Sequence, residues 1–164
     1  MPRIELKTVI NSEDIEVVFD LIRSIDLHKI STKKSKEVAI SGRTSGLIFL
    51  GETVTWRAKH LGFYQELTSI ITDYQRPTFF ADEMVKGAFK SFRHEHYIEK
   101  DGVNVIITDV FEYQSPLGFL GRIADFLFLK SYMKRFLKER NQIIKEYAET
   151  DKWRKILKKA NEGF

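Results

Sequence analysis

The sequence contains no cysteine. Disulfide bonds, thiolate nucleophiles and cysteine metal ligands are therefore all excluded, and the absence is compatible with a reducing compartment. Proline is also scarce, with 3 among 164 residues. No internal repeat, low-complexity segment or linker divides the chain, so we expect one domain over residues 1–164, with residues 150–164 as a possible separate helical tail.

Long apolar runs are missing as well. The richest one, residues 123–136, is interrupted by Asp125, Lys130, Lys134 and Arg135, so it cannot cross a bilayer as a continuous apolar span. The first residues alternate charged and apolar side chains and lack the apolar core of a signal peptide. These absences predict a soluble cytoplasmic protein without an integral membrane segment.

Phenylalanine is abundant, with 13 residues in a chain of otherwise ordinary composition, 43% hydrophobic and 30% charged. So much bulky apolar surface needs either a tightly packed core or a cavity to face. The net charge of +4 is unevenly distributed: residues 1–129 carry 16 basic and 18 acidic residues, and residues 130–164 carry 11 and 5. The basic end is interpreted either as a solvated helix face or as a surface for an anionic partner.

Residue periodicity predicts an α+β fold. Residues 3–10 alternate as a strand, and two short helices follow, the first with Ile15, Val18, Phe19 and Ile22 on one stripe. From residue 37 onward the period is two, and turn residues separate the runs. The predicted strands cover residues 37–41, 52–59, 63–73, 78–85, 89–99 and 103–113. Six or seven antiparallel strands at such spacing indicate a meander.

Helix-forming residues then continue from Gly118 to about Ala160. Apolar residues recur at steps of three and four, which predicts a long amphipathic helix with one face against the sheet. Its first half is apolar nearly all round, and we expect loops to cover it. The stripe comprises Ile123, Phe126, Leu129, Met133, Phe136, Ile144 and Tyr147.

The order of elements, together with several short motifs, resembles the START-like, polyketide-cyclase and pollen-allergen superfamily known as SRPBCC. The motifs are Asp26-Leu27-His28, Gly51-Glu52-Thr53-Val54-Thr55-Trp56, Arg76-Pro77, Gly87-Ala88-Phe89, Arg93-His94-Glu95-His96, Thr108-Asp109 and Ser115-Pro116-Leu117-Gly118. Within it the chain is similar to small bacterial ligand-binding proteins. The resemblance implies a helix-grip fold, in which a curved antiparallel sheet wraps a long C-terminal helix. It also implies an apolar cavity for a lipid, sterol or polyketide; some members of the superfamily are cyclases or dehydratases.

Two histidines are the sharpest candidates for a site. His94 and His96 are two residues apart on a predicted strand, so they point to the same side as Phe92. Two interpretations are open. Either the pair anchors a ligand or transfers protons, or it is structural, outward-facing or in the core, with its ring nitrogens hydrogen-bonded to neighbouring strands. A metal would need a third ligand such as Asp109. A carboxylate at Asp109 lies among apolar neighbours and needs a partner, for which Arg57, Arg93 and the histidines are available.

We therefore predict a binder of a small hydrophobic or aromatic molecule, with no cofactor, metal or nucleic-acid partner. One alternative is a cyclase- or dehydratase-like enzyme in which His94, His96, Asp109 or Glu83 moves protons. Another, disfavoured because acidic residues elsewhere offset its charge, is an interaction module whose cationic helix docks on an anionic surface, either nucleic acid or membrane. Arg140 lies near the apolar stripe and is expected to extend to the surface, or else to meet an acidic ligand. The predicted ligand-binding residues are Trp56, Phe92, His94, His96, Asp109, Phe111, Phe126 and Met133.

Overall fold

A computed structural model describes residues 1–161, with the backbone alone for Arg122, Ala160 and Asn161. Seven antiparallel strands form one curved sheet in the order β1-β7-β6-β5-β4-β3-β2, so the first strand pairs with the last. The strands are β1 Arg3–Ile10, β2 Val38–Gly42, β3 Thr53–His60, β4 Phe63–Gln75, β5 Phe79–Lys86, β6 Ser91–Asp101 and β7 Asn104–Gln114.

Two short helices separate β1 from β2. The Asp14 side chain caps the first by accepting hydrogen bonds from two backbone N–H groups, and Ser24 caps the second in the same way, by accepting one. A 3-10 turn, Lys33–Ser35, follows. The helices are α1 Ile15–Ile22, α2 Ile25–Ser31, α3 Gly118–Ala124, α4 Lys130–Ala148 and α5 Lys152–Asn161, and a π-helical turn, Asp125–Leu129, joins α3 to α4.

Helix α4 lies across the concave face of the sheet. Its buried residues Leu137, Asn141, Ile144 and Ala148 recur at three- and four-residue steps, which puts them on one face. Leu137 belongs to a smaller core cluster with Ile4, Phe92, Phe111 and Tyr113, whereas Ile144 and Ala148 belong to the larger cluster that α1 and α2 complete. The predicted curved sheet, the two short helices and the long C-terminal helix are confirmed.

One expectation about the long helix is wrong. Loops do not cover its first half; Leu117, Phe119, Leu120 and Leu127 are exposed. A segment that is apolar nearly all round keeps apolar side chains outside whichever of its sides contacts the protein. The stripe is also shifted by the π-helical turn. Its hydrogen bonds run from residue i to i+5, so each residue turns the helix less than in an α-helix, and the apolar stripe loses its phase before α4 begins.

Helix α5 returns to the body of the protein. Leu157 is buried in the larger core cluster, and Trp153 and Ile156 pack against the same cluster. Residues 162–164 of the predicted tail lie outside the described residues, and the domain assignment stays a prediction. No helix among residues 1–161 is both long enough and apolar enough to span a membrane.

Candidate functional site

A cavity of about 330 Å³ lies between the concave face of the sheet and the start of α4. Apolar side chains form most of its wall: Ile22, Ile25, Ile48, Val54, Trp56, Leu67, Ile71, Phe80, Phe89, Phe92, Phe111, Leu129, Met133, Phe136 and Leu137. Concave apolar sites with a few placed polar groups are typical of small-molecule binding.

All four histidines of the chain line this cavity, in two pairs. Each pair is held by one buried carboxylate. We call the first group the inner cluster, which consists of Asp82, His94, His96, Asp109, Arg140 and Asn141. The second is the outer cluster, which consists of His28, Glu37, His60 and Tyr132. The outer histidine side chains are more exposed, at 23% and 22%, than those of His94 and His96, at 10% and 2%.

The inner cluster follows from the register of two neighbouring strands. His96 on β6 lies directly opposite Asp109 on β7, and His94 is two residues along the same face. Both rings hydrogen-bond to the same oxygen of Asp109, with His94 Nε2 at 3.1 Å and His96 Nδ1 at 2.8 Å from Oδ1. One carboxylate therefore fixes the orientation of both imidazoles.

Helix α4 satisfies the other side of Asp109. Asn141 Nδ2 donates to Asp109 Oδ2 at 2.5 Å and to Thr8 Oγ1 at 3.1 Å. Arg140 Nη2 donates to the carbonyl oxygen of Ile22 at 3.1 Å, and Arg140 Nη1 lies 3.9 Å from Asp109 Oδ1. A network with this many partners ties the sheet to the helix behind the cavity wall.

The two histidines of the inner cluster have pKa values shifted in opposite directions. Burial would raise the pKa of Asp109, but the hydrogen bonds from His94 and His96 outweigh it and hold that pKa well below its ordinary value. Burial lowers the pKa of His94, and the neighbouring His96 adds to the effect. Burial acts the same way on His96, but hydrogen bonds to Asp109 and Asp82 raise its pKa overall.

His96 thus lies between two carboxylates that favour its protonated form. Asp82 Oδ1 lies 3.5 Å from His96 Nε2, and although burial would raise the pKa of Asp82, the hydrogen bond from His96 lowers it. The carboxylates of Asp82 and Asp109 therefore lie beside the side chains of His96 and Arg140.

Asp82, His94 and His96 also have ligand atoms within 4.8 Å of one another, a grouping that could hold a metal ion. In this grouping the third candidate ligand is Asp82, whereas the sequence suggested Asp109. The Oδ1 atom of Asp109 instead accepts hydrogen bonds from both imidazole rings. The absence of a metal stays a prediction.

The outer cluster is assembled from three separate segments of the chain and α4. Glu37, just before β2, accepts a hydrogen bond from His28 Nε2 at 2.6 Å, and His60 Nε2 at the end of β3 lies 3.2 Å from its other oxygen. His60 Nδ1 lies 2.7 Å from the Tyr132 hydroxyl. The His28 ring stacks on Trp56 with the centroids 4.2 Å apart.

Glu37 is ionised at any ordinary pH. Burial would raise its pKa, but the hydrogen bonds from His28 and His60 lower it to about 2. When the Nε2 atom of His60 carries the ring proton it donates to Glu37, and Nδ1 then accepts the hydrogen bond from the Tyr132 hydroxyl. Glu37, His60 and Tyr132 therefore form a chain of hydrogen-bonding groups that reaches the cavity.

Comparison with known proteins gives the fold. No protein-family model and no curated relative matches the sequence. Among solved structures, TTHA0849 from Thermus thermophilus is similar, with a TM-score of 0.73 and 12% identity over 90% of this chain and 97% of that one. Ginseng major latex-like protein 151 from Panax ginseng has a TM-score of 0.67 and 18% identity over 91% and 98%. A START superfamily protein from Mycobacterium smegmatis has a TM-score of 0.68 and 8% identity over 90% and 97%.

The chain has an SRPBCC fold. The resemblance drawn from the sequence motifs is thereby confirmed at the level of architecture. At these identities the likeness establishes the fold alone.

Most of the predicted ligand-binding residues meet at the cavity of this SRPBCC fold. Six of them line it: Trp56, Phe92, His94, His96, Phe111 and Met133. Asp109 lies behind the wall, 1% exposed, where it holds the two histidines and reaches neither Arg57 nor Arg93. The binding role of these residues stays a prediction.

Three placements need correction. Phe126 is 90% exposed and lies outside the cavity, because it falls in the π-helical turn that breaks the helical phase. Arg140 does not extend to the surface; it is buried among the inner cluster and lines the cavity. Glu83 pairs with Arg93, and its neighbour Asp82 faces the cavity instead. Residues 79–86 carry apolar side chains on both faces, so alternation alone could not choose between them.

Sequence reasoning missed the outer cluster entirely. No local motif or period marks His28, Glu37, His60 and Tyr132 as neighbours. The only relevant feature of the sequence is that two of its four histidines lie at positions 28 and 60. That signal could not identify their common partner.

Proposed function

We propose that the protein binds a small hydrophobic or aromatic molecule, lipid- or polyketide-like, in the cavity between the sheet and the long helix. The observation that supports this most is the wall itself, which is mainly apolar and carries polar groups only at defined places. Members of the resembled superfamily bind lipids, sterols or polyketides, which agrees with this wall.

The two clusters restrict the ligand further. The polar groups of the inner cluster already pair with one another and include two carboxylates of lowered pKa, Asp82 and Asp109, so the cluster favours an uncharged polar group, such as a hydroxyl or carbonyl, over a free carboxylate. His94 and His96 present their rings to the cavity, and the outer cluster offers the Tyr132 hydroxyl. We therefore favour an apolar ligand body with one or more neutral oxygen groups.

Native mass spectrometry of freshly purified protein tests the proposal by detecting a co-purified small molecule. In parallel, the fluorescent probe N-phenyl-1-naphthylamine reports on the apolar cavity. Ala58 is buried in the cavity wall, so Ala58→Phe should narrow the cavity and weaken probe binding by about 10-fold, equivalent to roughly 1.4 kcal/mol. Val103→Phe adds bulk at a position that is 60% exposed and should leave the affinity unchanged. Equal affinities of the two folded variants would contradict binding in this cavity.

A proton-transfer enzyme is the second candidate, and the chain Glu37–His60–Tyr132 favours it. An imidazole held by a carboxylate and hydrogen-bonded to a hydroxyl is a common arrangement in acid–base catalysis. If the protein is a dehydratase, or a cyclase whose ring closure eliminates water, the precursor of the co-purified molecule should lose the mass of one water on incubation with the protein. A cyclisation without dehydration gives an isomer of the same mass that chromatography separates from the precursor, whereas a carrier leaves the molecule unchanged.

A further inference from the structure

The segment from Leu117 to Phe128 exposes an unusual amount of apolar surface. Phe126 is 90%, Leu117 78% and Phe119 74% exposed. We define the apolar patch as Leu117, Phe119, Leu120, Ile123, Phe126, Leu127 and Phe128, all of which are exposed. Single exposed apolar residues are normal in proteins, but a contiguous group of this kind marks a surface that meets something else.

Residues 1–161 do not cover the patch. The inner side of α3 already packs on the preceding turn, through Gly121 and Asp125, which are four residues apart. A Cβ atom at Gly121 would lie 2.1 Å from the Pro116 carbonyl oxygen, and Ser115 Oγ hydrogen-bonds to Asp125. The side of the helix that contacts the protein is therefore occupied, and the apolar patch is what remains outside.

Cations without acidic partners adjoin the patch. Lys130, Lys134, Arg135 and Lys138 lie on the part of α4 that follows it, and the sequence has no acidic residue from 126 to 138. Within residues 1–161, none of these four side chains forms an ion pair, whereas Lys145 and Lys152 further along do. A group of phenylalanine and leucine side chains followed by lysine and arginine is typical of helices that lie in the interface of an anionic membrane.

We propose that the apolar patch and these four cations dock the protein on the surface of an anionic lipid bilayer. The apolar side chains enter the boundary between headgroups and acyl chains, and the cations contact the phosphates. Docking at a surface requires no membrane-spanning helix, and none is found among the described residues.

The position of the patch connects it with the cavity. Leu129, Tyr132 and Met133 follow the patch directly and line the cavity, as do Pro116 before it and Leu61 at the end of β3. A docked protein would therefore hold this side of the cavity close to the bilayer, from which an apolar molecule can partition. The docking proposal goes beyond ligand binding and does not depend on it.

A second copy of the chain is a less suitable occupant. In a twofold symmetric dimer the same patch faces itself, and since the patch contains no acidic residue it offers no counter-charge to the four cations of the other subunit. An anionic bilayer supplies that counter-charge.

Co-sedimentation with vesicles tests the proposal, with phosphatidylcholine alone compared with phosphatidylcholine mixed with phosphatidylglycerol. The unmodified protein should bind the anionic vesicles at least roughly 100-fold more tightly, and the affinity should fall as salt is added. The patch variant Phe119→Ser/Phe126→Ser/Leu127→Ser should lose binding to both. The charge variant Lys130→Gln/Lys134→Gln/Arg135→Gln should lose roughly 100-fold on the anionic vesicles, since each cation near such a surface contributes about 5-fold.

The control removes the same charge elsewhere. Lys155→Gln/Lys158→Gln/Lys159→Gln alters three exposed cations of α5 and should change vesicle binding by less than about 3-fold, because charges beyond a Debye length are screened. Phe126→Trp supplies a second readout that leaves the patch apolar. Its fluorescence should shift to the blue at a lower concentration of anionic vesicles than of phosphatidylcholine vesicles.

Three results would overturn the proposal. The first is an unmodified protein that does not bind anionic vesicles. The second is a control variant that loses as much binding as the charge variant, which would mean that overall charge and not this surface is responsible. The third is self-association in analytical ultracentrifugation that the patch variant abolishes, which would assign the surface to a second copy. If the patch variant fails to fold, as judged by circular dichroism, the charge variant and Phe126→Trp still decide among these results.

Discussion

The inner and outer clusters use the same arrangement, one carboxylate between two histidines, in different surroundings. Asp109 is 1% exposed, and its second oxygen is bound by Asn141, which also reaches Thr8 on β1. Glu37 has only Ser35 besides its histidines among the described residues, and the outer cluster ends in a tyrosine hydroxyl at the cavity. The inner cluster therefore links the sheet to helix α4. The outer cluster presents a polar group to the cavity, and we expect it to contribute less to the free energy of unfolding.

The largest expected difference between the two clusters is in stability. Asp109→Ala leaves the His94 and His96 rings and the Asn141 amide without their shared partner in the interior, which should lower the free energy of unfolding by about 3–5 kcal/mol. Glu37→Ala removes a carboxylate whose histidines can reach water and should cost about 1–3 kcal/mol. Urea denaturation measures both. Equal losses of unfolding free energy would show that the two clusters contribute equally to stability.

Acid should act on the outer cluster in a defined pH range. The pKa of Glu37 is lowered from 4.5 to about 2 in the folded protein, so the ionised form favours folding. Its contribution is complete above about pH 4.5 and is lost as the pH falls toward 2; the shift corresponds to about 3 kcal/mol.

Glu37→Gln is the variant that tests this assignment. It removes the titrating group, so the fall in unfolding free energy between about pH 5 and roughly 2.5, the range set by the two pKa values, should be shallower than in the unmodified protein. Urea denaturation at a series of pH values gives the slope. An unchanged slope would assign the acid sensitivity to other carboxylates, of which Asp109 is the first to examine because its pKa is also lowered.

The smallest expected effect is on ligand affinity. His94→Gln with His96→Gln, and separately His28→Gln with His60→Gln, should each weaken binding of the co-purified molecule by about 1–3 kcal/mol, the usual cost of losing buried hydrogen bonds. Only the inner pair should also lower stability strongly. Isothermal titration calorimetry on the folded variants gives the affinities. An inner variant that is less stable but binds as tightly as the unmodified protein would leave His94 and His96 with a structural role alone.

Much of the inner cluster could be predicted from the sequence because its parts are close together along the chain or along one strand. The two-residue period of β6 put Phe92, His94 and His96 on one face, and the same period on β7 grouped Asp109 with Phe111. A short hairpin made β6 and β7 neighbours. The contribution of Arg140 and Asn141 could not be predicted, because periodicity places them on a helix face without showing which strand lies opposite.

The outer cluster depends on contacts that no local pattern records. Tyr132 and His60 are 72 residues apart in sequence, and His60 reaches Glu37 only because β3 pairs with β2 and α4 crosses above them. Residues so far apart meet through the closure of the sheet around the helix. The spacing of residues within either segment carries no information about that closure.

The sequence by itself determined the order of elements, the antiparallel meander, the long helix and the shared face of His94 and His96, since each of these follows from the two- and 3.6-residue periods of local structure. The tertiary structure alone decided that Arg140 is buried, that Glu37 joins two distant histidines, and that Phe126 points to solvent. The physical reason is the same in all three cases. A period states which side chains share a face, but only the packing of one element on another decides what that face meets, and a single π-helical turn is enough to change it.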